Sequence, residues 1–284
     1  MSKVAVVTDS TTYLPPEIYA DLPLYVLPLQ VIWGDEHFRD GIDIKPDEFY
    51  RKLETSDITP TTSQPSPKVF QDQYQELLDQ GYDILSVHIS TGLSGTVNSA
   101  EQAKSILKSD RIEIIDSHVT GMALGFIALF TARAAKDGAT LAECKAMAED
   151  MVPRSGAVFA VSTLEYLHKG GRIGTASAFL GTALKLKPVL WLNNGKIEAK
   201  EKIRTFQKAL DRLVSLTVEI VGERKVAISL IHADAEEAAE KILERTVEAV
   251  GRDKVTETVL TAVSPVIGTH TGPGTVGICF QLMD

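Results

Sequence analysis

The chain has 284 residues, 44% of them apolar and 24% charged, enough for one large or two modest globular domains. Acidic residues outnumber Lys and Arg 38 to 29 and no stretch forms a basic arm, which argues against nucleic acid as the main partner.

Residues 3–9, "KVAVVTD", read as a first strand; as a secretory leader the apolar run is too short and no cleavage pattern follows. A second strand is expected over 24–29, and "WGDEHF" (33–38) reads as a hairpin tip outside the main sheet. Ser66 as cap, Pro67 at the first position and Gly81 past the end mark a helix over 67–80. Strands over 82–90 and 111–116 alternate with helices over 95–108 and 118–137. Continuous aliphatic strands of this length suit burial on both faces, so the first half is expected to form a parallel sheet between helices. Residues 119–132 are the most apolar, but they fall short of a membrane span and Arg133 interrupts them, so a buried helix is expected.

After a helix near 140–152, "VPRSG" (152–156) is the expected boundary between a domain of residues 1–153 and one of 154–284. Strands are expected at 157–162, 187–193, 196–203, 225–232, 255–262 and 275–282, with "NNG" (193–195) as a hairpin turn. Helices at 164–169, 175–185, 205–221 and 234–250 would cover one face. The fold class is therefore α/β, with two domains of different topology: a parallel sheet between helices, then a sheet with antiparallel pairs. Cys144 and Cys279 form no redox or metal-ligand spacing, and no zinc motif or phosphate-binding loop appears, so no metal or cofactor is expected and a reduced cytoplasm fits best.

Three hydroxyl-rich segments are placed to meet at the carboxyl ends of the parallel strands: "TDST" (8–11), "TTSQPS" (61–66) and "STGLSGT" (90–96). The last two lead into helices, where hydroxyls and backbone N–H groups favour an anion, or simply cap the helix. "GLSGT" resembles a nucleophile elbow, but Thr96 stands where the final glycine belongs, so Ser94 reads better as a hydrogen-bond donor. "IGTHTGPGT" (267–275) reads as an exposed loop carrying His270, with Gly272 and Gly274 allowing close backbone approach.

Taken in order with "DS" (116–117), "LEYLHKGGRIG" (164–174), "LKPVL" (186–190) and "KIRT" (202–205), these segments resemble the DegV family over nearly the whole chain. The resemblance implies two domains, a three-layer α/β/α domain with a parallel sheet and a two-layer α/β domain with a mixed six-stranded sheet, and a carrier rather than an enzyme. It would bind one long-chain fatty acid, C14–C18 and palmitate-like, and present it to a separate ATP-dependent fatty-acid kinase that makes the acyl phosphate. It also implies that Thr62, Ser94 and His270 hold the carboxylate, with Ser63, Gly95 and Thr96 as loop support. The tail would run into the second domain, and Phe159, Leu164, Ile173, Phe179, Leu180, Leu184 and Leu190 are candidates to line it, although the helix beginning near 175 also reads as an ordinary amphipathic core helix. Arg204 is expected on the partner surface; Arg172 fits either that surface or a bridge between domains. A monomer is expected, because a carrier must expose one face to its kinase. The alternatives are a serine esterase using Ser94 and His270, and phosphotransfer by the chain itself, for which no Mg²⁺ carboxylate cluster is visible.

Overall fold

The computed structural model describes residues 3–283, with the side chains of 180–185 outside the described set. Strands β1 (Lys3–Asp9), β2 (Leu24–Leu27), β6 (Tyr82–His88) and β7 (Ile112–Asp116) form a parallel sheet in the order β2-β1-β6-β7. Alternation along β1 explains why the sheet needs helices on both faces. Ala5 and Val7 pack with Phe70, Tyr74 and Leu77 of α2 (Pro67–Asp79) and with Ala100 and Ala103 of α3 (Thr96–Leu107). Val4 and Val6 point the other way, into the cluster built on α4 (Met122–Lys136) and α5 (Leu141–Met151). β2 stops at Leu27 rather than residue 29, where Pro28 lacks the N–H a ladder needs.

The most apolar segment is indeed a buried helix. α4 buries residues around its whole circumference, from Met122 through Leu129, because a sheet covers it on each side. One is the parallel sheet; the other is a six-stranded mixed sheet that contributes Ala157, Ala227, Val259 and Cys279 to the same cluster. That sheet runs β10-β9-β8-β13-β11-β12, from β8 (Ser155–Ala160), β9 (Val189–Asn193), β10 (Lys196–Glu201), β11 (Val226–His232), β12 (Val255–Ala262) and β13 (Val276–Leu282). Only β11 and β12 pair in parallel, and Asn194 and Gly195 turn the β9–β10 hairpin with positive φ at both positions. Helices α7 (Phe206–Val221) and α8 (Glu236–Val250) cover its outer face. A short α6 (Glu165–Lys169) is present as expected, but Gly174–Lys185 is a 3-10 helix rather than an α-helix.

One strand and two α-helices lie beyond the sequence reading. The expected hairpin is β3 (Gln30–Trp33) with β4 (Glu36–Arg39), and β5 (Thr61–Ser63) extends it into a separate three-stranded sheet. Thr62 thus sits on a strand paired with Val31, not in the loop that opens α2. The sheet packs with α1 (Pro46–Thr55) against α9 (Pro265–Thr271) through Trp33, Phe49, Tyr50 and Val266. α9 corrects the expectation of an exposed loop at 267–275: His270 lies in its last turn and is largely buried. Gly268 and two threonines hide the helix from propensity, yet Ser264 caps it and Pro265 opens it, the same pair that marks α2 at Ser66–Pro67.

Asp40 ties this small sheet to the larger one. It is 2% exposed and accepts a 2.7 Å hydrogen bond from Ser10 Oγ after the end of β1. Burial pushes its carboxyl up to about 7, against the lowering effect of the Ser10 hydroxyl and the nearby donors of Val266 and Ser264. The folded protein therefore holds a proton between about pH 4 and 7 that the unfolded chain has released, and stability falls as pH rises through that window, by on the order of 4 kcal/mol. Asp40→Asn should remove this slope: denaturant unfolding should show the variant gaining on the wild type from pH 5 to pH 8. A constant difference across that range would contradict it.

Candidate functional site

A cavity opens between the loops at the carboxyl ends of the parallel strands and the inner face of the six-stranded sheet. Its carbon walls come from Leu29, Ile89 and Leu93 on one side and from Ala157, Phe159, Leu192, Ile197 and Ile231 on the other, with Val263, Val266 and Ile267 leading into α9. Thr62, Ser63, Gln64, Ser94, Arg172 and His270 line it as well. The distribution suits a largely apolar molecule with a polar group at one end.

The polar cluster is assembled from three elements that are distant in sequence. Thr62 Oγ1 on β5 and His270 Nε2 on α9 are 2.8 Å apart. Ser94 follows a turn in which its N–H and that of Leu93 donate to the Ser90 carbonyl, and its hydroxyl is bonded to Thr96 Oγ1 at 2.9 Å. Gly95 then starts α3 without a side-chain cap, so the first-turn N–H groups and the helix dipole favour an anion beside Ser94. A β-carbon at Gly95 would lie 2.9 Å from Gln64 Nε2, so the glycine lets the Gln64 amide lie across this helix start. Thr96 is fully buried and reaches the cavity only through its bond to Ser94.

His270 is a neutral ring in this setting. Burial and then the Arg172 charge pull its pKa down to about 4. Its Nδ1 has no hydrogen-bond partner and faces Gly170, where a β-carbon would sit 2.1 Å away. With Nε2–H donating to Thr62 Oγ1, the Thr62 hydroxyl proton is free to point at a ligand. Arg172 is exposed at the cavity edge and donates to the Leu93 and Gly170 carbonyls, bridging the Ser94 loop to the α6 segment. This explains part of "KGGRIG"; the rest is Gly174, whose φ of +51° and approach to the Ile197 carbonyl exclude a side chain.

The remaining sequence candidates fall elsewhere. Leu164, Ile173 and Leu190 pack behind Phe159 in its hydrophobic cluster, off the cavity surface, and Phe179 is partly buried against that cluster. Leu180 and Leu184 lie outside the described residues. Arg204 is exposed just before α7, away from the cavity lining. The walls that sequence reasoning missed, Ile89, Leu93, Ile231, Val263 and Ile267, carry no local signal, since each looks like an ordinary strand-end or helix core residue.

"TDST" is structural rather than ligand-facing. Thr8 donates to the Val87 carbonyl, Ser10 to Asp40 and Thr11 to Asp9. Asp9 also accepts the Ile89 N–H at 2.9 Å and meets His88 Nδ1 at 3.0 Å, which fixes the start of the loop carrying Ser94. His88 Nε2 continues to Ser86 and then Tyr74, giving an Asp–His–Ser order, but all four side chains are fully buried and no substrate reaches them. Ser94 and His270 do not form the hydrolase pair: each is bonded to a threonine, and no carboxylate orients His270. Among the described residues no cluster of three or more His, Cys, Asp and Glu is placed to hold a metal, and no helix is long and apolar enough to cross a membrane.

Fold and site together define an α/β protein of three sheets with a largely apolar cavity, into which Thr62, Ser94 and His270 bring hydrogen-bonding groups. A family described as uncharacterised DegV proteins matches residues 3–282. Protein DegV of Bacillus subtilis is 38% identical over 281 residues, 98% of each chain. The structure of B. subtilis DegV, described as a fatty acid binding protein, superposes with a TM-score of 0.88 at 37% identity, covering 100% of both chains. A Thermus thermophilus DegV family protein, described with fatty acid binding, gives 0.91 at 34% identity over 99% of this chain and 100% of that one. A stearic acid-binding protein from Eubacterium ventriosum gives 0.90 at 25% identity, covering 99% and 98%. The chain belongs to the DegV family.

Because the His270 ring is neutral well below pH 6, its Cε1–H resonance should stay flat from pH 8 to pH 5, assigned by comparison with His270→Gln. Arg172→Gln should move the midpoint upward from about 4 by removing like-charge repulsion. A wild-type midpoint near 6.5 would contradict the buried neutral ring.

Proposed function

We propose that the cavity holds one long-chain fatty acid, its carboxylate held by Thr62, Ser94 and His270, the ring acting by directing the Thr62 hydroxyl proton to the ligand, and its tail lying along the apolar walls. The observation that carries this reading is a carbon-walled cavity with Thr62, Ser94 and His270 among its lining residues. Related proteins described as binding fatty acids support it. Each buried methylene contributes about 0.8 kcal/mol, so a C14–C18 tail supplies on the order of 10 kcal/mol before ordering costs. Residues 1–153 would then supply the carboxylate loops, and residues 154–284 much of the tail wall.

In this reading the protein is a carrier that presents the carboxylate to a separate ATP-dependent fatty-acid kinase, and it works as a cytoplasmic monomer. Hydroxyl donors hold the carboxylate without pairing it to a close fixed charge, so an oxygen keeps the electron density needed to attack a phosphoryl group supplied by the partner. Arg172 at the cavity edge and Arg204 before α7 are the cations offered to that partner. The esterase alternative has less support, because a ring held near pKa 4 and bonded to Thr62 is a poor base for Ser94.

Native mass spectrometry of the purified protein, with extraction of its cargo, tests the reading. One C14–C18 fatty acid per chain is expected, and a protein that is empty and takes up no added fatty acid would overturn it. Ser94→Ala and Thr62→Val should each weaken retention by roughly tenfold, about 1.5 kcal/mol for a hydrogen bond to a charged acceptor, with no ester turnover in either variant or the parent.

A further inference from the structure

Among the described residues, four buried side-chain polar atoms have no hydrogen-bond partner: Asp40 Oδ1, Thr120 Oγ1, Ser229 Oγ and His270 Nδ1. Of the residues that carry them, Thr120 and His270 line the cavity. His270 Nδ1 is turned away from it, against Gly170. Thr120 is different. It precedes α4, and a β-carbon on the next residue, Gly121, would lie 3.5 Å from Cys279 Sγ and 3.7 Å from Ile231 Cδ1, both of which belong to residues of the opposite cavity wall. Thr120 therefore stands where the two layers meet, at a carbon-rich part of the cavity.

Its neighbours do not share its situation. Thr271 Oγ1 donates to the Ile267 carbonyl at 3.2 Å, and Thr275 Oγ1 donates to the Gly272 carbonyl at 2.9 Å. Those hydroxyls are committed within α9 and just beyond it, and they present methyl groups as readily as oxygen. Thr120 Oγ1 is shielded from solvent and uncommitted, in a position a valine would fill with the same shape.

Burying a hydroxyl without a partner is unfavourable, and the penalty disappears when a ligand brings one. We propose that Thr120 is a specificity-determining residue that favours an acyl chain carrying a hydroxyl partway along its length over the saturated chain of equal length. The hydroxyl of such a chain both donates and accepts, as does that of threonine, so the pair satisfies itself in either orientation. A saturated chain leaves Thr120 unpaired, and a site built around a hydrogen bond discriminates against the analogue that lacks it. This rests on the fatty-acid reading above and names a finer class of ligand for the same cavity.

The test measures binding of stearic acid and of its positional hydroxy isomers to the full-length wild type, to Thr120→Val and to Thr120→Ser. In the wild type, at least one isomer should bind on the order of tenfold more tightly than stearic acid. Thr120→Val should erase that preference while binding stearic acid at least as well, which also reports that the variant is folded; Thr120→Ser should keep it. The proposal is overturned if every hydroxy isomer binds no better than stearic acid, as when Thr120 is satisfied by water alone, or if the preference survives in Thr120→Val. If the wild type binds neither stearic acid nor any isomer, the fatty-acid reading itself falls, and this inference with it.

Discussion

The structure depends on one constraint: α4 is apolar on every side and must be covered on every side. A helix with one apolar stripe would have been satisfied by the parallel sheet alone. Met122 through Leu129 instead demand a second sheet, and the cluster that includes Val4, Val87, Ala157 and Cys279 joins the two halves through this helix. Facing the sheets across a helix brings the carboxyl-end loops of one against the inner surface of the other. The helix does not extend to fill the space beyond its own N-terminus, and the cavity lies there, between Gly121 and the strands of the second sheet.

The polar end of that cavity is notable for how few charges it uses. Its hydrogen-bonding groups are an uncapped helix start, two hydroxyls and a neutral imidazole, with Arg172 at the edge. Arg172 does two things at once: it bridges the Ser94 loop to the α6 segment, and its charge helps keep His270 unprotonated. Behind the loop, the Asp9 carboxylate gathers the N–H groups of Ile89 and Thr11 together with His88, so the strand ends that display Ser94 are fixed by a network no ligand touches. The arrangement resembles a catalytic relay in order but is sealed, and its work is positional.

Much of this was legible in the residues. Long aliphatic strands, a Ser–Pro helix start at Ser66 and an Asn-Gly turn each have a local physical cause, so β1, α2 and the β9–β10 hairpin follow from short stretches of chain. α9 was hidden because Gly268 and its threonines are poor helix formers, and only its packing on Phe49, Tyr50 and the small sheet makes a seven-residue helix stable there. β5 was hidden because three polar residues show no strand pattern; they pair because β3 offers an open edge.

The sequence alone determined the class of fold and the order of most elements, which are set by local propensity and periodicity; Thr62, Ser94 and His270 were singled out by resemblance to the DegV family. The tertiary structure decided that Thr62 lies on a strand and His270 on a helix, that the two meet, and that Ile89, Ile231 and Val263 face a common space while Leu164 and Leu190 lie behind it. Apolar side chains carry no mark that distinguishes a cavity wall from a core contact. That difference arises only when two layers meet and leave a gap, and it depends on backbone approaches over long sequence separations, such as Gly170 beside His270, that no local stretch encodes.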